Sequence, residues 1–301
     1  MNPRLMAPWG PFLHRVDLAP FAVVACFAAI QLGLFFGTDS AAAQLAGTMV
    51  LWPATTISIA IAHSHFHVRT FRSALLNRLY EFVLFYQSGM PSYGWQLNHN
   101  IGHHQHFMRQ GADAPFRDEY YWLEADGTVT PRWRYVLRTV TLAYWYMIRN
   151  GRLRPDYVRK LAVVMTLHAL VLAALLAYDV LGTLICFVSV FVANMVVNAW
   201  FSYSHHAGLS LQDRNSASYS NLSRLENLLT FNTGYHTAHH IKASVHWYEL
   251  PSFHATIADR VPAHCYLSGE LTREAAIAQL ARTHAAENGA SKPAAMQGAA
   301  S

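Results

Sequence analysis

Charged residues are scarce in this sequence. Asp, Glu, Lys and Arg make up only 13% of its 301 residues, whereas soluble proteins usually carry about 25%. Hydrophobic residues make up 53%, and the mean hydropathy is positive at +0.14. This balance argues against a soluble protein and predicts an integral membrane protein. We expect one membrane domain over residues 1–287 and a disordered tail over residues 288–301.

Cysteine is also scarce, with three residues far apart in the sequence, Cys26, Cys186 and Cys265. This spacing excludes a disulfide framework, a CxxC redox pair and a cysteine-ligated iron–sulfur cluster. The haem-attachment motif CxxCH and the zinc-protease motif HExxH are absent as well. The formal net charge is +5. Because the Lys and Arg residues fall between apolar segments, an anionic membrane surface fits them better than nucleic acid does.

Four uncharged apolar runs are long enough to cross a bilayer. They cover residues 18–36, 41–62, 161–178 and 182–203. The nineteen residues of the first run cover roughly 28 Å at about 1.5 Å per residue. The segments 73–88 and 132–150 lack an uncharged run of that length and are predicted to be interfacial helices. The prediction is an all-α integral membrane fold with four transmembrane helices, interfacial helices and a cytoplasmic cap. A further helix is expected at 270–286.

Lys and Arg are absent from the two predicted turns at 37–44 and 177–183. All twenty-two basic residues therefore fall on the opposite side of the membrane, which the positive-inside rule assigns to the cytoplasm. We expect both termini there, with the spans in a bacterial inner membrane. The same side receives all the histidine-rich windows described next, provided that 132–150 does not cross.

Twelve of the eighteen histidines lie in four short windows. The windows are His63–His67, His99–His106, His205–His206 and His236–His240. Neutral imidazole is the commonest protein ligand for transition metals, and residues i and i+3 or i+4 share one face of a helix. Three pairs are therefore expected to hold one ion each from one side: His63 with His67, His99 with His103, and His236 with His239 or His240. Eight or nine imidazoles exceed one tetrahedral zinc and suit two metals such as iron, copper, zinc or nickel.

Other polar residues are candidates for supporting roles. Acids that hydrogen-bond the distal imidazole nitrogens orient metal ligands, and the candidates here are Asp113, Glu81, Glu226 and Glu249. Asn198 precedes His205 by about two helical turns, where it either reaches a metal through a water or bonds within the bundle. His168, inside the third run, has a functional or a packing role. The remaining histidines are expected to be ordinary side chains: His14, His65, His106, His246, His254, His264 and His284.

The windows resemble the three histidine boxes of the membrane fatty-acid desaturase and alkane-hydroxylase superfamily. His63-x3-His67 followed by Phe71-Arg72-Ser73 is similar to the first box, and His99-x3-His103-His104 to the second. Gly234-Tyr235-His236-x2-His239-His240 is similar to the third, and His206-Ala207-Gly208-Leu209 resembles the end of the fourth span in alkane hydroxylases. The resemblance covers residues 63–251 and implies a four-span α-helical fold, two iron ions and O2 as co-substrate. The ligands that it implies are His63, His67, His99, His103, His104, His206, His236, His239 and His240, with His205 as the alternative to His206.

This resemblance implies an oxidoreductase that oxidises an unactivated C–H bond in a lipid acyl chain, with fatty-acid desaturation as the leading expectation. Hydroxylation of an alkane or fatty acid and alkene-forming decarboxylation use the same ligands and stay open. No electron-transfer domain is visible in the sequence, so a separate ferredoxin, rubredoxin or cytochrome with its reductase is expected to supply electrons.

Two other classes of protein remain as alternatives. A haem-binding electron-transfer membrane protein would use histidines as axial ligands, but two ligands leave most of the clustered histidines unexplained. A metal transporter would place polar or acidic ligands near the middle of the membrane. The first, second and fourth runs have no ionisable group at their centres, which disfavours a transporter.

Overall fold

The computed structural model describes residues 3–111, 116–209 and 213–267, and its regular elements are helices. The longer helices are Leu18–Phe36, Ala41–Thr55, Ile57–His67, Ala74–Ser88, Gln96–His104, Arg132–Thr141, Ala143–Gly151, Pro155–Tyr178 and Ser189–His206. The shorter ones are Pro3–Met6, Arg15–Asp17, Ser92–Trp95, Val180–Thr183, Leu184–Val188, Arg224–Leu229, His236–Ile241, Trp247–Glu249, Leu250–Ala255, Ala258–Arg260 and Ala263–Cys265. The helix expected at 270–286 and the tail at 288–301 lie outside the described residues.

Three helical stretches are long and apolar enough to cross a membrane, Arg15–Phe36, Pro155–Tyr178 and Val180–His206. A fourth is added if the bent pair Ala41–Thr55 and Ile57–His67 counts as one span. We number these spans one to four in chain order, so that the bent pair is span two. The predicted all-helical membrane fold is confirmed, and the protein is an integral membrane protein. The segment 132–150 forms two helices that break at Leu142.

Span two bends by 45° between Thr55 and Ile57. Pro53 lies inside its first helix, where proline removes one backbone donor and clashes with the preceding turn. Two hydroxyls compensate near the break, since Thr55 Oγ1 donates to the Trp52 carbonyl at 2.7 Å and Thr56 Oγ1 donates to the Pro53 carbonyl at 2.6 Å. The bend directs Ile57–His67, with its two metal-ligand candidates, over the end of the bundle.

Buried amide side chains tie span two to span four. Asn194 Nδ2 donates to Thr55 Oγ1 at 3.0 Å, and Trp52 Nε1 donates to Asn194 Oδ1 at 3.1 Å. Gln87 extends this network, because its Oε1 accepts from Ser58 Oγ at 2.7 Å and its carbonyl accepts from Asn194 Nδ2 at 2.5 Å. Hydrogen bonds between membrane helices contribute about 0.6 kcal/mol each on average. Several together fix the bent span against its neighbours.

The helix Ala74–Ser88 differs from the expectation of a helix lying flat at the interface. Residues 74–79 are exposed apart from Asn77, but the rest of the helix packs inside the bundle, where Phe85 contacts Phe191 and Tyr86 contacts Phe187. Gln87 Nε2 also donates to the Val24 carbonyl of span one at 3.0 Å. The predicted helix is present. Some of its apolar residues are exposed, and others are buried against the rest of the protein.

His168 has a packing role in the structure. Its ring stacks on Phe85 and Phe82 with centroid distances of 3.9 and 4.3 Å, and its Nδ1 lies 3.4 Å from the Tyr86 hydroxyl. None of its described ring contacts involves a histidine of the four windows. Of the two roles left open from the sequence, the geometry supports packing.

We predict that the side carrying the histidines faces the cytoplasm, because the turns at the other ends of the spans lack basic residues. Trypsin added to inside-out vesicles should therefore cut at exposed sites such as Arg134 and Arg152. Right-side-out vesicles should protect the same bonds until detergent is added. Cleavage confined to right-side-out vesicles would reverse the orientation.

Candidate metal centre

Histidines from four helices meet at one end of the bundle. His63 and His67 come from the last turns of span two, and His206 ends span four. The others lie on the helices Gln96–His104 and His236–Ile241. Segments far apart in sequence thus place their imidazoles in one buried region, as the sequence predicted for a site that exists only in the folded chain.

Five of these histidines form the first group, which we call cluster one. Its members are His63, His67, His99, His104 and His239, and their ligand nitrogens all lie within 4.8 Å of one another. The shortest separations are 2.9 Å between the Nε2 atoms of His104 and His239 and 3.1 Å between those of His104 and His99. Cluster one contains no carboxylate and no thiol.

Four histidines form the second group, cluster two. The ligand nitrogens of His103, His206 and His240 lie within 4.8 Å of one another. His236 joins them, because its Nε2 lies 3.1 Å from the Nε2 atoms of both His206 and His240. The two clusters are adjacent, and the rings of His104 and His240 stack with centroids 4.5 Å apart.

The expected pairing of His99 with His103 is wrong. Gln96–His104 is a π-helix, in which backbone bonds run from i to i+5 rather than i+4. The wider turn of a π-helix brings residues five apart near one face, which lets His99 pair with His104 in cluster one. His103 turns to cluster two. The same division separates neighbours in the third window, where His236 pairs with His240 and not with His239. His63 and His67 share cluster one, as expected.

The outer nitrogens of two ligand candidates are held by the protein. His103 Nδ1 donates to Asp118 Oδ2 at 3.1 Å, and His206 Nδ1 donates to the Ala217 carbonyl at 3.1 Å. A neutral imidazole with its proton on Nδ1 has a free lone pair on Nε2. Both Nε2 atoms therefore face cluster two as acceptors. Metal-bound histidines commonly have this arrangement, in which the outer ring N–H donates to a carboxylate or a backbone carbonyl.

Burial keeps the imidazoles neutral. It lowers the pKa of His99, His104 and His239 well below the usual value, and nearby histidines lower it further. His236 and His240 behave in the same way for the same reasons. Neutral imidazole is the form that binds a metal ion. Lone pairs are therefore available without any loss of protons at neutral pH.

The donor set fits two transition-metal ions. Among the described residues, the Nε2 atoms of His63, His67 and His103 are buried and have no hydrogen-bond partner. Buried polar atoms without partners are costly and rare, and a shared metal ion would satisfy these. Clusters made only of imidazole suit iron, copper, zinc or nickel. Two groups of five and four nitrogens correspond to two ions rather than one.

The other sequence candidates have various positions. His205 has a ring contact with His236 at 4.0 Å but is absent from both clusters, so the geometry favours His206. Asn198 and Glu226 line the cavity described below, and Asn221 Nδ2 donates to Glu226. Glu81 bonds His65, Arg69 and Arg78 instead of a cluster histidine. Asp113 lies outside the described residues.

A cavity of about 510 Å³ runs beside both clusters. Its walls come from the break in span two, from span four, and from the segments that carry the second and third windows. Most of the lining surface is apolar, with contributions from Ile57, Ile59, Ala60 and Phe201. The wall also includes His63 and His99 of cluster one, and His103, His206 and His236 of cluster two. This volume lies in the usual range for a small-molecule site, about 300–1,000 Å³.

Sequence reasoning missed Asp118 and Tyr120. Asp118 orients His103, and Tyr120 lines the cavity with its ring 5.0 Å from that of His103. A signal was present in the sequence, since Asp118-Glu119 is a pair of acids within an aromatic stretch that ends Tyr120-Tyr121-Trp122. Acids that are buried among aromatic residues need partners, and these partners lie in the second window and in the helix Ala143–Gly151.

An all-helical membrane bundle with two buried histidine clusters at one end defines a histidine-box membrane metalloprotein. A model of the fatty acid desaturase family matches residues 40–270. The chain belongs to this family and is an oxidoreductase of it, and its buried histidine clusters are consistent with a di-iron site. No curated protein matches the chain.

We predict that His104→Ala removes metal, because it deletes one of the shared nitrogens of cluster one. The number of metal ions per purified chain, measured by elemental mass spectrometry, should fall from about two toward one. His106→Ala is the matched control, since His106 lies two residues away and bonds the Ile101 carbonyl. Full metal content in His104→Ala would contradict the assignment.

Asp118→Asn should weaken metal binding at cluster two roughly 10- to 100-fold, the usual effect of losing a ligand's hydrogen-bond partner. The asparagine keeps the size of the side chain but loses the charge that orients His103 Nδ1–H. Competition with a chelator measures the change. Asp126→Asn is the control because Asp126 bonds only Thr128 among described side chains, and its affinity should equal that of wild type. Equal affinity in both variants would argue against a role for Asp118.

Proposed function

We propose that this protein catalyses an O2-dependent, non-haem di-iron oxidation of a C–H bond in a lipid acyl chain, with desaturation as the reaction. The observation that carries the proposal is the apolar cavity whose wall includes histidines of both clusters. An acyl chain in this cavity would lie beside both metal positions. We assign the nine histidines of clusters one and two as the metal ligands.

In this proposal the metal ions and the protein's side chains have different roles. Two iron ions bound there would supply the oxidising power toward O2 and an unactivated C–H bond that no side chain has. The protein's residues hold the ions, exclude water and place the substrate. Apolar side chains such as Ile59 and Phe201 line the cavity, so the reacting carbon is kept away from bulk water. Asp118 and the Ala217 carbonyl hold protons on the outer nitrogens of His103 and His206.

The cavity opens beside the membrane-facing surface. Pro53, at the break in span two, and Phe201, in span four, are both lining residues and exposed. Leu229 on the short helix Arg224–Leu229 has the same two properties. Apolar residues exposed next to membrane spans face lipid. We infer that the substrate chain enters from the bilayer through this opening.

The proposed reaction needs two electrons from outside the chain in each turnover. We infer a separate ferredoxin, rubredoxin or cytochrome with its reductase, docking on the side of the membrane that carries the histidines. The basic residues concentrate on that side, and positive charge increases the rate of association with an acidic partner. In this proposal that side is the cytoplasm of a bacterial cell, and the spans lie in its inner membrane.

The reaction is tested by incubating membranes with labelled acyl substrates, O2 and a reducing system, followed by mass spectrometry of the products. Loss of two hydrogens is the expected result. A gain of one oxygen would identify a hydroxylase, and loss of one carbon would identify a decarboxylase. Purified protein should contain iron without a Soret band, and a haem spectrum would contradict the proposal.

We predict that Ala60→Trp shortens the longest acyl chain accepted. Ala60 lies on the cavity wall one helical turn before His63, so an indole there fills space needed by the substrate. Products from a series of chain lengths, measured by mass spectrometry, should stop at a shorter chain than in wild type.

Ala46→Trp provides the control for this variant, because Ala46 is an exposed residue in the first helix of span two and is not a lining residue. Its chain-length profile should match that of wild type. An unchanged profile in Ala60→Trp would show that the substrate lies elsewhere.

A further inference from the structure

Tyr120 lies at the junction between the two clusters. Its ring centroid is 5.0 Å from that of His103 in cluster two and 6.4 Å from that of His99 in cluster one. Two other aromatic residues border the metal centre, but among the cluster histidines Trp95 contacts only rings of cluster one and Phe107 only rings of cluster two. Within the described ranges, Tyr120 is thus the aromatic neighbour that the clusters share.

The protein holds Tyr120 rigidly against the ligand set. Its backbone N–H donates to Asp118 Oδ1 at 2.9 Å, and the same carboxylate accepts the Nδ1 proton of His103. One side chain therefore fixes both a ligand and Tyr120. Trp122 adds a second anchor, since its backbone N–H donates to Gln110 Oε1 at 2.7 Å.

Glu119 fastens the same segment to the helix of the second window. Asn150 Nδ2 donates to Glu119 Oε2 at 2.7 Å and to the Leu97 carbonyl at 3.1 Å. Gly102 makes room for this pair, because a Cβ there would lie 2.4 Å from Asn150 Nδ2 and 2.5 Å from Glu119 Oε2. The position of Tyr120 relative to His99 and His103 is therefore set from both sides.

The hydroxyl of Tyr120 is available to a ligand. Tyr120 lines the cavity, and no hydrogen bond among the described residues uses its hydroxyl. The Nε2 atoms of His103 and His206 offer lone pairs, as argued above, so they provide no proton for an incoming acceptor. A phenol has one O–H donor. Donors fixed before the reaction stabilise charge that develops on oxygen, because they need no reorganisation.

We propose that the Tyr120 hydroxyl is a catalytic hydrogen-bond donor, and that it would hold O2 bound at the two clusters on the side that faces the cavity. The proposal rests on the proposed function, because it requires two irons at the assigned histidines. The phenolic proton stays on Tyr120 Oη. The electrons for reduction of O2 come from the external donor and from the substrate C–H bonds, as in the proposed desaturation.

Azide is a suitable probe, because it is a small anion that binds ferric iron and accepts hydrogen bonds. Infrared spectra of azide on the iron-loaded, full-length protein are recorded in H2O and D2O. In wild type the azide stretch should shift on deuteration, since the O–H donor becomes O–D. Tyr120→Phe removes only the hydroxyl and should abolish that shift, with iron content unchanged. Tyr146→Phe is the matched control, being a buried tyrosine that does not line the cavity, and should keep the shift.

Turnover gives a second readout. Tyr120→Phe should lower kcat roughly 10- to 100-fold, as expected for loss of one hydrogen bond to a charged acceptor. The KM for the acyl substrate should be unchanged, and hydrogen peroxide released per O2 consumed should rise because oxygen is no longer held toward the substrate. A residue that only forms part of the cavity wall would not lower kcat and increase peroxide release while leaving KM unchanged.

The outcomes separate this inference from the proposed function. Wild-type protein without iron, or without bound azide at full iron content, would refute the di-iron proposal itself. Iron-loaded wild type whose azide stretch is insensitive to D2O would overturn the role of Tyr120, as would a shift retained in Tyr120→Phe. A visible absorption band of a phenolate bound to ferric iron, lost in Tyr120→Phe, would show a metal ligand in place of a hydrogen-bond donor. If Tyr120→Phe does not fold, the wild-type deuteration result decides.

Discussion

The structure depends on nine imidazoles, seven buried and two partly buried, that converge in two adjacent groups. Among the described residues, the inward nitrogens of His63, His67 and His103 have no protein partner. Burial of unpaired polar atoms costs about 1–3 kcal/mol each. These unpaired nitrogens lie at one end of the helix bundle, beside an apolar cavity. Apolar side chains in their place would make the fold more stable. Two metal ions, as membership of the family implies, would complete the bonding of these nitrogens.

Holding so many rings to a common geometry requires a stiff frame, and the bundle supplies one. His63 and His206 stand at the ends of two spans that the Asn194–Thr55 bond connects. The bend after Pro53 then has two consequences. It brings the last turns of span two over the bundle, and it contributes Pro53 and Ile57 to the cavity wall. One proline thus helps to position two histidines of cluster one and to form the cavity.

The four apolar segments and the nine histidines of the two clusters could be predicted from the sequence, because apolar runs and histidine spacing are local patterns. The division of these histidines between the two clusters could not be predicted from the sequence. Spacing rules assume an α-helix, under which His99 and His103 share a face, whereas the π-helix pairs His99 with His104. In this π-helix Gly102 lies against the Asn150–Glu119 pair, a contact with a distant segment that spacing rules do not include. Asp118 was missed for the same reason, since fifteen residues separate it from His103.

The neutrality of the imidazoles connects folding with metal binding. Metal ligands must lose their protons to bind, so metal affinity usually decreases as the pH is lowered. Here burial already lowers the pKa of His99, His104 and His239, and the folded site needs no deprotonation at neutral pH. The unfolded chain regains ordinary histidines that take up protons below about pH 6.5. Acid therefore favours the unfolded state as pH falls through that value. Metal bound at the folded site would oppose this effect, so that the convergence of rings that supports the proposed chemistry would also couple metal binding to the stability of the fold.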